Sequence, residues 1–573
     1  MKTKRINRRQ FLRVMGGGLF AAAIAACRPA SVFPPTTTTA DSRTVLPSVV
    51  VSSSNPTAPS TPGNVDVEIA LRAVQDEIAI FPDRPTRVWR FVGEVLSGPA
   101  DAVRPLPDTY LGPILHLRRG QRVRIRFTNE IPEESIVHWH GLHVPATMDG
   151  HPRYVVGPGE TYVYEFDVLN RAGTYWYHPH PHGRTGPQVY MGLAGLLLVS
   201  DGEEQSVGLP DGEFDIPLVL QDRVFDEQRQ MVYLPNGQMD RMMGFLGDTI
   251  LVNGKPDYRL EVATRVYRLR VLNGSNSRIY KLAWSDGSPM VVIGNDGGLL
   301  ARPVEKPYVV LAPGERAEIW ADFSRYPVGT QLSLRSLPFT APGTVMGGNM
   351  GRGMGMGGGM GMGGGMGMGG GMGGRGRRGG MGGRRGFTEA IPQGTAFTVL
   401  EVQVTREVTE RIPLPARLST ITPIPLSDAV NANAPRRIRL SMTPGKGWTL
   451  NGRTFEMLAV ADDEIVRLNT TEVWEFHNVG GGMGMGMLPH PMHMHGEQFQ
   501  VVRRDVDAAG RAAWETVKDG YVDEGWKDTV LVMPGERVQV IRRFADFTGL
   551  FLYHCHNLEH EDMGMMRNFL VQA

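Results

Sequence analysis

Cysteine is nearly absent. The 573 residues hold only Cys27 and Cys555, so no disulfide framework supports the fold if the first is removed or modified. A surplus of either charge is lacking too. Lys and Arg number 60 against 59 Asp and Glu, a formal net charge of +1, which leaves no electrostatic footprint for nucleic acid or for a strongly acidic partner. No apolar run is long enough to span a bilayer comfortably: Val14 to Ala26 falls short of the ~20 residues that a spanning helix needs. Long helical periods are also scarce. Gly (72) and Met (30) are in excess, most of them in two places. The length is enough for about three or four domains, each with its own core.

The amino terminus reads as an address. Lys2, Lys4, Arg5, Arg8, Arg9 and Arg13 precede the apolar, small-residue run, and Arg8-Arg9-Gln10-Phe11-Leu12 resembles a twin-arginine export signal. Ile24-Ala25-Ala26-Cys27 resembles a lipoprotein box, which would acylate Cys27; Ala23-Ile24-Ala25 also suits ordinary signal-peptidase cleavage. An export signal over 1–27 is expected, with lipidation favoured and a location in the periplasm or otherwise outside the cytoplasmic membrane. Residues 28–64, rich in Pro, Thr, Ser and Ala, are expected to form a disordered tether.

Beyond the tether the chain repeats itself three times. Pro158-Gly-Glu-Thr, Pro313-Gly-Glu-Arg and Pro534-Gly-Glu-Arg each lead into an alternating strand: Tyr162–Phe166, Ala317–Phe323 and Val538–Phe544. Each Pro-Gly is a tight turn. About fifteen residues later a glycine opens a second strand, at Gly173, Gly329 and Gly549. The first and third of these end in His178-Pro-His180 and His554-Cys-His556; the middle one ends in Leu334-Arg335-Ser336. Short strands between regular turns predict an all-β protein of sandwiches or small barrels. The units are placed at 65–202, 203–345 and 388–573, and the middle one has lost its ligand positions.

Two further pairs, His138-Trp-His140 and His493-Met-His495, bring the His-x-His count to four, all in the outer units. Pair members on a strand face the same way, roughly 7 Å apart, a spacing suited to neighbouring metals. The outer units must then meet, so that their pairs converge. In Gly549-Leu-Phe-Leu-Tyr553-His554-Cys555-His556 alternation turns Cys555 one way and both histidines the other. A thiolate, imidazoles and a weak thioether, here Met565, are the donors of a blue-copper site. One strand would thus link two metal sites.

With these motifs the chain resembles the multicopper oxidases, the laccase-like three-domain proteins built of cupredoxin-like Greek-key β-barrels. The resemblance covers nearly all of the mature chain. It implies four copper ions: one type 1, one type 2 and two type 3. By position, His138 and His493 match the type 2 ligands. His140, His178, His180, His495, His554 and His556 match those of the type 3 pair. His490, Cys555 and His560 match the type 1 site, with Met565 as the axial ligand. Asp149 and Glu561 match carboxylates that deliver protons for oxygen reduction, and Asp562 matches one that touches a type 1 ligand in some relatives. His116, His143, His151, His182 and His477 are expected to be surface or core residues.

Residues 346–387 are almost entirely Gly, Met and Arg, which cannot make a packed core and predicts a disordered loop inserted between the second and third units. A second run, Gly480 to Met487, stands just before His490. Thioethers prefer Cu(I), and a methionine-rich insert resembles the copper-efflux oxidases. The expected function is oxidation of Cu(I) to Cu(II) coupled to reduction of O2 to water, by a monomer that binds no nucleic acid. The alternatives are a laccase-like oxidase of phenols or aromatic amines, taking a small aromatic reductant, and an exported copper-sequestering protein.

Overall fold

A computed structural model of the chain describes residues 64–341, 390–479 and 487–573. The export signal, the tether up to residue 63, the whole 346–387 insert and residues 480–486 lie outside the described residues. The rest is an all-β assembly of three cupredoxin-like units, each made of two sheets that share one core.

Alternation decides the sheet faces. In strand Val67–Ile78, Val67, Ile69, Leu71 and Ala73 are fully buried while their neighbours stand outward, the period-two pattern of a half-buried strand. In the first unit the four-stranded sheet (Val67–Ile78, Thr86–Ser97, Arg122–Asn129, Thr161–Asp167) faces a five-stranded sheet that includes Val137–His140, Gly173–Pro179 and Gly195–Ser200. Val67–Ile78 runs parallel to Arg122–Asn129, so the connection crosses over between sheets, as Greek-key units do.

The three Pro-Gly turns fold alike. Gly159, Gly314 and Gly535 all have positive φ, at +84°, +86° and +75°, a conformation that glycine adopts without penalty. Each turn feeds a strand that pairs antiparallel with its unit's central strand: Thr161–Asp167 on Arg122–Asn129, Arg316–Asp322 on Val266–Asn273, and Glu536–Phe544 on Thr470–Asn478.

One boundary needs correction. The unit expected at 388–573 does not begin after the insert, because strand Phe397–Arg406 pairs with Arg259–Ala263 and Gln331–Ser336 of the middle unit. Its Val399, Leu400, Val402 and Val404 are buried in that unit's core. The 346–387 insert therefore interrupts the middle unit, between two strands of one hairpin, rather than separating the second and third units. The third unit's first strand is Arg436–Thr443.

Candidate metal centre

In both outer units a pair of adjacent strands carries the histidines. Val137–His140 pairs with Gly173–Pro179 so that His138 lies opposite His178. His490–Met494 pairs with Gly549–Cys555 so that His493 lies opposite His554 and Met492 opposite Cys555. The two strand pairs meet face to face. His138 stacks on His495 and His140 on His493, each with ring centroids 3.8 Å apart. His180 lies 5.0 Å from His495 and 5.1 Å from His554, and His556 lies 4.9 Å from His140 and 5.3 Å from His178. All eight imidazoles are at most 1% exposed.

Most of these rings have one nitrogen committed to a carbonyl or carboxylate, while the other faces a second imidazole nitrogen or has no partner. The Nδ1–H groups of His138, His493, His178 and His554 donate to the carbonyls of Asp149 (2.7 Å), Asp528 (2.9 Å), Pro179 (2.9 Å) and Cys555 (3.1 Å). His495 Nδ1 donates to Asp149 Oδ2 at 2.8 Å. His140 is turned the other way: its Nε2 donates to Asp528 Oδ1 at 3.0 Å and its buried Nδ1 has no partner. His178 Nε2, His180 Nδ1 and both nitrogens of His556 are likewise buried without a hydrogen bond. Buried polar atoms are rarely left so, and second-sphere partners that fix one nitrogen leave the other as a lone-pair donor. Burial holds His138, His140, His178, His493 and His495 well below the usual imidazole value, toward the neutral, ligating form. Donor atoms of His180, His495 and His554 all fall within 4.8 Å of one another, a metal-sized triad.

A second cluster lies on the opposite face of the same strand. Cys555 Sγ is 3.5 Å from His490 Nδ1 and 3.8 Å from His560 Nδ1. Asn557 caps the short helix Leu558–Asp562 by accepting from His560 N, and this turns the chain back so that His560 returns beside the sulfur. The Met565 N–H then donates to the His560 carbonyl at 2.9 Å, and the Cys555 N–H to the Met565 carbonyl at 3.0 Å, which anchors the fully buried Met565 next to Cys555. Burial pushes the Cys555 thiol well above its ordinary value, so a bound cation must displace the proton for the thiolate to form. The Trp448 ring packs 4.8 Å from His490 and 4.7 Å from His560.

Family models described as multicopper oxidase match residues 94–204 and 430–573, the spans that hold every one of these donors. Over 461 residues the chain is 31% identical to the multicopper oxidase mco of Staphylococcus haemolyticus, covering 80% of this chain and 82% of that protein. The chain belongs to the multicopper oxidases. This multicopper oxidase is also 30% identical over 533 residues to a laccase of Bacillus stratosphericus, covering 84% of this chain and 90% of that one. Among solved structures it is similar to the McoA multicopper oxidase of Aquifex aeolicus, with a TM-score of 0.69 and 34% identity over 89% of this chain and 97% of that one. It is an oxidoreductase, and copper is the cofactor its family implies. The thiol, the unpartnered imidazole nitrogens and the thioether are the soft and borderline donors that copper takes, so the residues fit the metal.

The three acidic residues that the sequence singles out around the multicopper oxidase donors have different surroundings. Asp149 is fully buried against His138 and His495, and burial pushes its carboxyl well above the ordinary range. Glu561 lies 3.1 Å from His554 Nδ1 and 3.6 Å from His180 Nε2, and neither carboxylate oxygen makes a hydrogen bond. Burial opposes its charge, yet His554 and His180 hold it below the usual carboxylate range. Asp562, expected at a type 1 ligand, instead accepts from the backbone N–H groups of Thr185 and Gly186, both at 2.9 Å, on the first unit. The first turn of helix Thr185–Tyr190 offers free N–H donors there. His151 is buried and donates to Asn568 at 2.9 Å, His143 pairs with Asp546 at 2.8 Å, and His182 is exposed beside Phe455.

Sequence reasoning missed two contributors. Helix Gln238–Met243 of the middle unit lies over the Cys555 cluster, where the Met242 carbonyl accepts from His560 Nε2 at 3.1 Å and from Trp448 Nε1 at 2.9 Å. Asp528 accepts from both His140 and His493. No motif marks either one: the helix is a six-residue segment with no time to show a period, and a lone Asp carries no metal-ligand spacing.

Proposed function

We propose that this oxidase draws its electrons by preference from Cu(I) and passes them to O2, which becomes water. The observation that carries the preference is the set of methionines on the third unit's core, the core that holds Cys555. Met243, Met442 and Met563 pack against the core that contains Cys555, Met565 and Trp448. Met239, 56% exposed, stands on the same short helix, Gln238–Met243. Thioethers are soft donors that select Cu(I) over harder cations.

In this reading His490, Cys555 and His560, with Met565 alongside, hold the type 1 copper. His138 and His493 hold the type 2 copper, and the other six cluster imidazoles hold the type 3 pair. When bound, copper supplies one-electron redox chemistry at the first site and four-electron reduction of O2 at the second. The chain's own part is to connect and to supply. His554, Cys555 and His556 are consecutive residues, so the sulfur on one side of the strand is joined to two imidazoles on the other by covalent bonds alone, a span on the order of 10 Å. Asp149, its carboxyl pKa pushed upward by burial, sits at His495, and Glu561 sits between His554 and His180. Both stand where a proton can be handed inward.

The second reading, oxidation of phenols or aromatic amines, is favoured by the relatives named laccase, and by a bilirubin oxidase of Albifimbria verrucaria at 31% identity. Oxygen uptake with Cu(I), and separately with a bulky phenol, distinguishes them. The proteins to compare are the intact chain, a variant lacking 346–386, and Met239→Leu/Met242→Leu/Met243→Leu. Both variants are expected to oxidise Cu(I) more slowly, and the deletion to oxidise the phenol faster. Cu(I) rates equal to the intact chain's in both would put the laccase reading ahead. No uptake beyond the uncatalysed rate would leave a copper store.

A further inference from the structure

The middle unit holds none of the proposed ligands, yet one of its turns forms part of the cluster wall. In the first unit the Pro-Gly turn is a free surface feature: a Cβ added at Gly159 would meet nothing within 4 Å, and Glu160 is exposed. In the third unit the same Cβ at Gly535 would run first into Asp507, away from any of the eight histidines. The middle unit's turn, Pro313-Gly314-Glu315-Arg316, is buried throughout. A Cβ on Gly314 would sit 3.1 Å from His140 Cε1 and 3.1 Å from His556 Cδ2 and Cγ, closer than side chains normally tolerate. Gly314 thus backs one imidazole from each outer unit.

Two residues on, Arg316 is fully buried and grips Asp528, with Nη1 to Oδ1 at 2.8 Å and Nη2 to Oδ2 at 2.6 Å. Its other N–H groups donate to the carbonyls of Thr174 (3.0 Å), Gly314 (3.0 Å) and Asp296 (2.8 Å). All five guanidinium donors are therefore spent in one fixed geometry that an ammonium cannot copy. Beside it, Lys527 is paired with Asp296 at 2.8 Å and Glu315 at 3.1 Å. The Lys527-Asp528 step of the third unit is thus clamped by the middle unit. Asp528 then reaches both outer units' histidines, with Oδ1 accepting from His140 Nε2 at 3.0 Å and its carbonyl from His493 Nδ1 at 2.9 Å. Gly141 leaves the clamp its room: a Cβ there would lie 2.5 Å from Asp528 Oδ2 and 2.8 Å from Arg316 Nη2.

We propose that Gly314 and Arg316 are positioning residues for the oxygen-reducing cluster. Arg316 orients His140 and His493 through Asp528, and Gly314 sets how closely His140 and His556 approach. The middle unit thereby fixes the relative placement of ligands that come from the other two. This rests on the copper assignment above. Asp528 is held through both of its oxygens and presents one edge to His140, so a change in the guanidinium is passed to the imidazole as a change of angle. Displacements well under 1 Å matter in such a site.

The test loads Arg316→Lys, Gly314→Ala and the unaltered chain with copper. It reads copper per chain, the visible thiolate-to-copper band, the near-ultraviolet band of the type 3 pair, the type 2 electron paramagnetic resonance signal and the thermal midpoint. Both variants are expected to keep the thiolate band, which reports Cys555 on the far side of the strand. Arg316→Lys is expected to lose the type 2 signal or change its hyperfine splitting, through His493, and Gly314→Ala to weaken the type 3 band, through His140 and His556. Should Arg316→Lys fail to fold, Gly314→Ala decides: it removes no ion-pairing group, and the thermal midpoint registers the strain of a side chain at φ +86°. A lowered midpoint with unaltered type 2 and type 3 signatures and full copper in the folded variants would overturn the inference and leave the turn a structural clamp. An unaltered chain that shows the thiolate band but no type 2 signal would overturn the copper assignment and the inference with it.

Discussion

Replacing Asp149 by asparagine separates proton supply from ligand placement. The side chains are isosteric, so the substitution opens no cavity, and an asparagine oxygen can still accept from His495 Nδ1, now 2.8 Å from Asp149 Oδ2. The Asp149 carbonyl, which accepts from His138 at 2.7 Å, is untouched. What is lost structurally is the difference between a hydrogen bond to a carboxyl group and one to an amide. Burial favours the neutral Asp149 carboxyl, so both acceptors are uncharged and their hydrogen bonds are each worth about 0.5–1.5 kcal/mol; His495 loses less than about 1 kcal/mol of its hold. That is too little to empty a site with eight imidazoles. The chemical loss is larger. Burial raises the Asp149 carboxyl well above the ordinary range, which favours the form that has a proton to transfer, and an amide has none. General acid catalysis contributes about 10²–10⁴-fold, equivalent to at least about 2.7 kcal/mol at roughly 1.36 kcal/mol per decade. Asp149→Asn is therefore expected to lower steady-state oxygen uptake by at least about 100-fold. Copper content, the thiolate band and the rate at which substrate bleaches that band should be unchanged, because Cys555 lies on the other side of its strand. Oxygen uptake equal to that of the unaltered protein would refute the proton role, and loss of copper would show that the carboxyl's main work is to hold His495.

Two further outcomes follow from groups described above. Met565→Leu removes the thioether beside Cys555 and is expected to raise the type 1 potential in a redox titration; an unchanged potential would remove Met565 from the ligand set. His151 is buried, and burial lowers its pKa from 6.5 to about 3. The unfolded chain therefore binds a proton that the native chain refuses throughout that window, and native stability falls as pH drops from 6.5 toward 3, by about 1.36 kcal/mol per pH unit for this one group. His151→Gln keeps a donor for Asn568 and should lose about 2 kcal/mol less than the parent between pH 6.5 and 5, measured by denaturant unfolding of the copper-free protein. Parallel pH profiles would show that His151 is protonated in the native state.

The ligands were legible because metal binding restricts both residue type and spacing. A strand with two same-facing imidazoles must read His-x-His, and four such pairs are hard to produce for any other reason. The repeats were legible because a Pro-Gly turn before an alternating strand is a local feature, set by φ at one glycine and by side-chain parity. Strand Phe397–Arg406 was misplaced because an insert of Gly, Met and Arg looks like a boundary between domains, while the pairing that assigns the strand joins it across the insert to Gln331–Ser336. Asp562 was misjudged for a similar reason: proximity in sequence to His560 does not say which way a carboxylate on a helix turn will face. Arg316 and Asp528 are 212 residues apart, and neither stands in any pattern. Arg and Asp have so many uses that only contact reveals this one.

The cluster's placement also governs how the protein acquires its metal. His138 and His493 are 355 residues apart, so half of the cluster's donors are synthesised long before the other half exists. Once the outer units have closed on each other, all eight imidazoles are at most 1% exposed. Metal entry to this cluster is therefore tied to the contact between the first and third units, whereas His490, Cys555, His560 and Met565 all belong to the third unit and can be filled without it.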